Sequence, residues 1–203
     1  KQKTAYEISL GLVGSEMCIR DSLKDVKLNV NYLLIISTSA GLWAYNIGDT
    51  IKFTSIEPYK IIVTGRIKHF LSAFGEHVIS EEVEKAMKLA TANHNVTIRE
   101  FTVAPNINPK QGLPRHEWYV EFETIPDDIK GFSATLEKEM ISQNIYYKDL
   151  ILGNIIQPLD IVNVRKGGFN NYMRSVGRLG GQNKVPRLSN DRKIADILNN
   201  FNV

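Results

Sequence analysis

The chain has 203 residues, 43% of them hydrophobic and 23% charged, proportions ordinary for a globular protein of one or two domains. No stretch reaches the ~18–20 consecutive apolar residues of a membrane-spanning helix, and Cys18, the sole cysteine, excludes an intrachain disulfide framework and fits a reducing cytosol. The net charge of +3 conceals an asymmetry, because between 165 and 193 eight basic residues face Asp191 alone, a local +7 against −4 for the remainder. A basic stretch of this kind calls for a polyanion, either nucleotide phosphates or nucleic acid.

At the amino end, Lys1 and Lys3 precede a short apolar run that Glu7 abuts, a poor match to a secretory leader, whose apolar core runs to at least ~7 residues. Residues 6–22 resemble translated sequencing-adapter read-through. Residues 1–22, Cys18 included, are therefore expected to be non-native and to contribute nothing to the fold. Residues 32–38 form an apolar, β-branched run of strand length, and Ala40 and Gly41 supply a turn. Residues 51–56 alternate as a half-buried strand, Pro58 interrupts, and 59–64 form a third strand ending at Gly65. Three short strands joined by tight turns read as the end of a small β-barrel or sheet, too little to bury a core alone.

Beyond Arg66 the pattern changes. Residues 69–74 read as a short strand pair ending at Gly75, and Ser80 caps a helix with Glu81 and Glu82 in its first turn and Val83, Met87 and Ala90 on one face. A strand over 97–104 and a loop rich in Pro, Asn and Gly over 105–114 come next. Residues 115–123 alternate, which puts Trp118, Val120 and Phe122 on the buried face and Glu117, Tyr119 and Glu121 opposite. Asp127 or Asp128 starts a helix carrying Ile129, Phe132, Leu136 and Met140 at helical spacing. A strand over 159–164 and short helices over 169–176 and 190–201 complete the chain, with Ser189 or Asn190 as the cap of the last. The fold class is α+β: the end of a small β subdomain over 23–66, a hinge, and a compact C-terminal domain over 67–203, about 137 residues and large enough to fold alone.

Three segments carry candidate chemistry. Residues 41–49 read GLWAYNIGD, a turn in which Gly48 lets a ligand approach the backbone and Asp49 can accept two hydroxyl hydrogen bonds from a ribose; an ordinary hairpin turn fits the same residues. Gly65 and Arg66 end the third strand, where glycine supplies the backbone freedom of a swivel and arginine can pair with a hydroxyl or phosphate oxygen. Residues 180–189 read GGQNKVPRLS, a glycine-flanked loop presenting Lys184 and stiffened by Pro186; a solvated basic loop is the plain alternative. The run from Ser37 to Gly41 is too short for a phosphate loop. His116 and Glu117 lie on a strand without the second histidine of a zinc helix, so no metal site is indicated.

The order and wording of these segments, with residues 64–70 and 73–76, resemble the C-terminal part of the auxin-responsive Gretchen Hagen family of acyl acid amido synthetases, in a bacterial-type form, within the adenylate-forming enzymes. The resemblance implies a fragment, inactive alone, of a ligase that joins a carboxylic acid to an amine or amino acid through acyl-AMP. ATP and Mg2+ are the implied cofactors, and an upstream N-terminal domain of the same protein is the implied partner. By the same resemblance Lys184 is the catalytic lysine of adenylation, Asp49 binds ribose with Tyr45 as the aromatic beside it, and Arg66 belongs to the hinge. Arg187 holds the lysine loop or contacts phosphate. The sequence departs from the family pattern at Asn46 and Ala44, where basic residues are usual. No nucleic-acid or membrane partner is implied. Two rival readings remain: a nucleic-acid-binding module using the basic stretch, and a non-catalytic interaction domain of the same fold.

Overall fold

The computed structural model describes residues 8–11, 20–66, 70–180 and 183–202, which fall into two compact units, 1–68 and 69–203. In the first unit an antiparallel sheet is built from β1 (Ile8–Gly11), β2 (Arg20–Ser22), β3 (Asn31–Ile36), β4 (Tyr45–Ile56) and β5 (Tyr59–Arg66), in the order β2-β1-β3-β4-β5. The sheet is open, not a closed barrel. The stretch expected to stand outside the fold contributes two of its strands, with Ile8 opposite Ile36. Tyr32, Ile51 and Phe53 are buried on one face with Val26, Tyr32 and Phe53 meeting edge to face at 5.9 Å, an aromatic contact adding ~0.5–1.5 kcal/mol to the burial. Pro58 sits in the turn between β4 and β5.

The expected turn at 45–49 is instead the first part of a twelve-residue strand. Asn46 pairs with Ile35 and Thr50 with Leu33, so Leu34 alone faces three residues of β4, an irregularity of the bulge kind. Gly48 adopts φ +81°, and its N–H donates to Asn46 Oδ1 at 2.8 Å. A local side-chain bond and a left-handed glycine accommodate the extra residues without ending the strand.

The second unit is a three-layer arrangement. Its sheet has the order β10-β9-β8, from β8 (Ile98–Asn106), β9 (Arg115–Phe122) and β10 (Asp160–Asn163), with β8 antiparallel and β10 parallel to β9. Trp118, Val120 and Phe122 join a core with residues of α1 (Ser80–Asn93), α2 (Ile129–Gln143) and α3 (Ile145–Leu152). On the opposite face Tyr119 and Ala104 pack with Phe169 and Met173 of α4 (Gly168–Ser175) and Ile194 and Leu198 of α5 (Lys193–Leu198). The alternation along β9 is therefore correct in period, but both faces are covered: Glu117, Tyr119 and Glu121 are all buried.

Local boundaries differ from expectation for specific reasons. The strand pair is β6 (Phe70–Leu71) with β7 (Val78–Ile79), across the turn that holds Gly75, not within 69–74. Ile79, not Ser80, is the N-cap of α1, because Glu82 Oε2 accepts the Ile79 N–H at 3.0 Å, half of a capping box. Asp128 caps α2 by accepting the Gly131 N–H at 2.9 Å. The last helix starts at Lys193 after Arg192, since Asn190 Oδ1 is engaged by the Ser72 N–H at 2.8 Å. Helix α3 was not expected from the sequence; Asn144 caps it through the Tyr147 N–H at 2.8 Å.

Candidate functional site

In the first unit the candidate nucleotide-side residues lie on adjacent strands. Asp49 on β4, within the irregularity opposite Leu34, is paired with Arg66, the last residue of β5. Asp49 is half-buried, while Tyr45 at the start of β4 is half-exposed beside Trp43, which is 82% exposed. The Thr64 hydroxyl lies 2.9 Å from Asn31 Oδ1 and 3.1 Å from Thr50 Oγ1, a polar stitch across β3, β4 and β5. Ala44 takes φ +48°, with its N–H donating to Ser37 Oγ at 3.0 Å, so the run from Ser37 to Gly41 serves as a turn. Lys68 and His69 lie outside the described residues.

In the second unit Lys184 is exposed, and the segment from Val185 to Ser189 is fixed to the sheet. Val185 is buried, Pro186 O accepts the Thr102 hydroxyl at 2.7 Å, and Arg187 O accepts the Val103 N–H at 2.9 Å. The Ser189 N–H donates to Val103 O at 3.0 Å, so Leu188 forms a parallel bridge with Val103 and is almost wholly buried. The loop behaves as a short extra strand on the free edge of β8, with Lys184 just before it. A cleft of about 350 Å³ beside Lys184 is lined by Glu100, Glu121, Phe169 and Asn183.

Arg187 is held within this unit. Its Nε is 3.1 Å from Glu84 Oε1, its Nη1 pairs with Glu100 Oε1 and donates to Phe101 O at 3.1 Å, and its guanidinium lies 4.5 Å above the Phe101 ring. Glu121, read from the sequence as the outward side of a strand, is a structural part of the cleft: its carboxylate accepts the Gly167 N–H at 2.8 Å and the Phe169 N–H at 3.2 Å. Helix α4 has no side-chain cap of its own, and a buried carboxylate from β9 fills that role. A glycine-led helix without a local capping residue is the one signal that could have pointed to it.

Other members of the basic stretch also have acidic partners. Arg192 Nη2 reaches Glu117 Oε2 at 2.8 Å and Tyr119 Oη at 3.2 Å; Lys193 lies 3.2 Å from Asp191, and Lys166 3.7 Å from Glu123. Burial pushes the Glu117 carboxyl up, but hydrogen bonds from Asn106, Arg192 and Tyr119 hold it below the usual range, and burial beside it pushes the Tyr119 phenol up to about 12. Four of the eight basic residues of this stretch, Lys166, Arg187, Arg192 and Lys193, are thus ion-paired within the unit.

A second buried polar group secures the segment after the unit boundary. His116 Nε2–H donates to Glu76 Oε1 at 2.9 Å, and the Phe74 N–H donates to Glu76 Oε2 at 2.8 Å. Asn144 Nδ2 donates to Glu76 O at 3.0 Å. Burial raises the Glu76 carboxyl, yet the hydrogen bond and charge of His116 with the backbone N–H of Phe74 bring it net below its ordinary value.

The sequence matches the GH3 family C-terminal domain over residues 81–193 and the GH3 family central domain over residues 19–66. It is 25% identical over 194 residues to the indole-3-acetic acid-amido synthetase GH3.10 of Arabidopsis thaliana, covering 89% of this chain and 32% of that protein. It is 25% identical over 197 residues to the 4-substituted benzoates-glutamate ligase GH3.12 of the same plant, covering 87% and 34%. The chain thus spans about a third of the length of the curated relatives it matches. A solved GH3.15 acyl acid amido synthetase superposes with a TM-score of 0.72 at 21% identity, over 98% of this chain and 37% of that one, which establishes the fold.

Proposed function

The chain belongs to the GH3 family, and from that membership we propose that it forms the hinge and C-terminal part of an ATP-dependent ligase. The ligase joins a carboxylic acid to an amine or amino acid in the cytosol, and the chain is inactive alone. In the first half-reaction a carboxylate oxygen bonds to the α-phosphorus of ATP as the bond to pyrophosphate breaks. In the second, the amine nitrogen bonds to the acyl carbon and loses a proton as AMP departs. Asp49 holds the ribose hydroxyls, with Tyr45 beside it and Arg66 opposite. Lys184 places its ammonium against the oxygens on which charge develops during adenylation and withdraws for the amide step. Mg2+ travels on the ATP phosphates, and no residue of this chain is assigned to it.

The observation that carries this reading is the construction of the Lys184 loop: an exposed ammonium immediately before a segment stitched to β8 by backbone bonds and a buried leucine. A catalytic lysine needs that combination of reach and fixed origin. The anchorage of the 70–79 segment supports a swivel upstream of Phe70, since the Glu76–His116 pair and Asn144 tie this segment to the C-terminal core. ATP–pyrophosphate exchange, measured on the longer protein that contains this chain and on the 203-residue chain alone, tests the proposal. The longer protein should exchange, and Asp49→Ala should raise its KM for ATP roughly 10- to 100-fold, the loss of a charge-assisted hydrogen bond. Exchange by the chain alone, or indifference to Asp49→Ala, overturns it.

A non-catalytic domain that kept the fold is the second reading. It is favoured by Asn46, which stands where the resemblance expects a basic residue and whose side chain is engaged by the Gly48 N–H. Absence of exchange in the longer protein would select it.

A further inference from the structure

We infer that Arg187 is a positioning residue for Lys184, acting through the loop and not through the nucleotide, an assignment that rests on the ligase reading above. Its guanidinium joins two elements through three acceptors: Glu84 of α1, and Glu100 and the Phe101 carbonyl of β8, with its plane over the Phe101 ring. Its own carbonyl accepts the Val103 N–H, so both ends of the residue are fixed to β8.

Lys184 is three residues away, at most ~10 Å of chain, and both intervening links are constrained. Val185 is buried among Phe169, Met173 and their neighbours, and Pro186 has a fixed φ with its carbonyl held by Thr102. Little freedom is left between the anchor and the ammonium. A phosphate approaching Arg187 would also meet the Glu84 and Glu100 carboxylates, which already engage Nε and Nη1. Only a planar fork can serve both carboxylates and the carbonyl together, so lysine at this position keeps the charge and loses the geometry.

This distinguishes the two roles. If Arg187 positions the loop, Arg187→Lys lowers kcat for ATP–pyrophosphate exchange ~10- to 100-fold in the longer protein, as a displacement of about 1 Å costs a catalytic group, and KM for ATP stays within about twofold. In the 203-residue chain itself, Arg187→Lys should speed amide hydrogen exchange at Val103 and Ser189 roughly tenfold relative to the amides of α1. A KM for ATP raised tenfold with kcat unchanged, or unaltered amide exchange at Val103 and Ser189, overturns the assignment. Lys184→Ala serves as the reference: if it leaves exchange intact, the ligase reading fails, whereas an Arg187 result of the wrong kind fails only this inference.

Discussion

Replacing His116 with leucine should destabilise the second unit by about 3 kcal/mol at pH 7. The imidazole is buried, stacked 5.1 Å from Tyr147 and 6.0 Å from Phe74, and its Nε2–H is the 2.9 Å partner of a Glu76 carboxylate with no solvent exposure. Leucine fills much of the volume but leaves Glu76 Oε1 charged and unpaired. Breaking a buried pair from one side costs ~3–5 kcal/mol, and the low end applies because Glu76 Oε2 keeps the Phe74 N–H. Glu76 has a folded pKa below its ordinary 4.5, so it adds stability above pH 4.5 that is lost as pH falls through the folded value. In the variant the hydrogen bond and charge of His116 are gone while burial remains, opposed only by backbone hydrogen bonds such as that from Phe74, so the carboxyl moves up; its penalty is full at neutral pH and is relieved as acid protonates it. The deficit between the two proteins is therefore largest at pH 7 and shrinks towards pH 4. Urea unfolding followed by Trp118 fluorescence in a Trp43→Phe background reads it, since Trp118 is fully buried and Trp43 is exposed. With ~1–3 kcal/mol per molar urea, the midpoint should fall by about 1–3 M, and adding Glu76→Gln should recover roughly half of the loss. A deficit below about 1 kcal/mol, or one that grows on acidification, would refute the reasoning.

Glu137 behaves in the opposite sense. Burial pushes its carboxyl up against hydrogen bonds from Leu159 and Tyr147, so its contribution is full below pH 4.5 and lost as pH rises through the folded value. Glu137→Gln should therefore gain on the native chain between pH 4 and pH 7 in urea midpoints, and a pH-independent difference would exclude the assignment. Glu121→Ala removes the acceptor of two N–H groups at the start of α4 and should cost ~2–3 kcal/mol, read as a lower thermal midpoint. Full stability of that variant would mean that α4 is capped by something else.

Elements with a clear local pattern were legible in the sequence: β3 and β5 as apolar, β-branched runs, α2 by its helical spacing and Asp128 cap, and β9 by its alternation. What escaped it was set by distant partners. Nothing within ten residues of Glu121 announces that α4 will lie across it, and Glu117 becomes buried only because Arg192, 75 positions away, arrives to neutralise it. The +7 stretch read as a site for a polyanion because charge was counted along the chain, whereas much of its compensation comes from Glu84, Glu100, Glu117 and Glu123. The 45–49 segment read as a turn because Asn and Gly are turn residues; a bulge uses the same chemistry inside a strand. Asp49, Arg66 and Lys184 were singled out by motif order and remain proposals. The fixation of the lysine loop by Thr102 and Val103, more than 80 residues upstream, was not legible.

The two half-reactions, measured separately on the longer protein with Lys184→Ala, test the central claim most directly. ATP–pyrophosphate exchange should fall by ~10²–10³-fold, the scale of one lost charge-stabilising donor, while attack of the amine on a supplied acyl-adenylate continues at close to the native rate. Equal loss of both steps, or exchange that survives the substitution, would contradict the role given to Lys184.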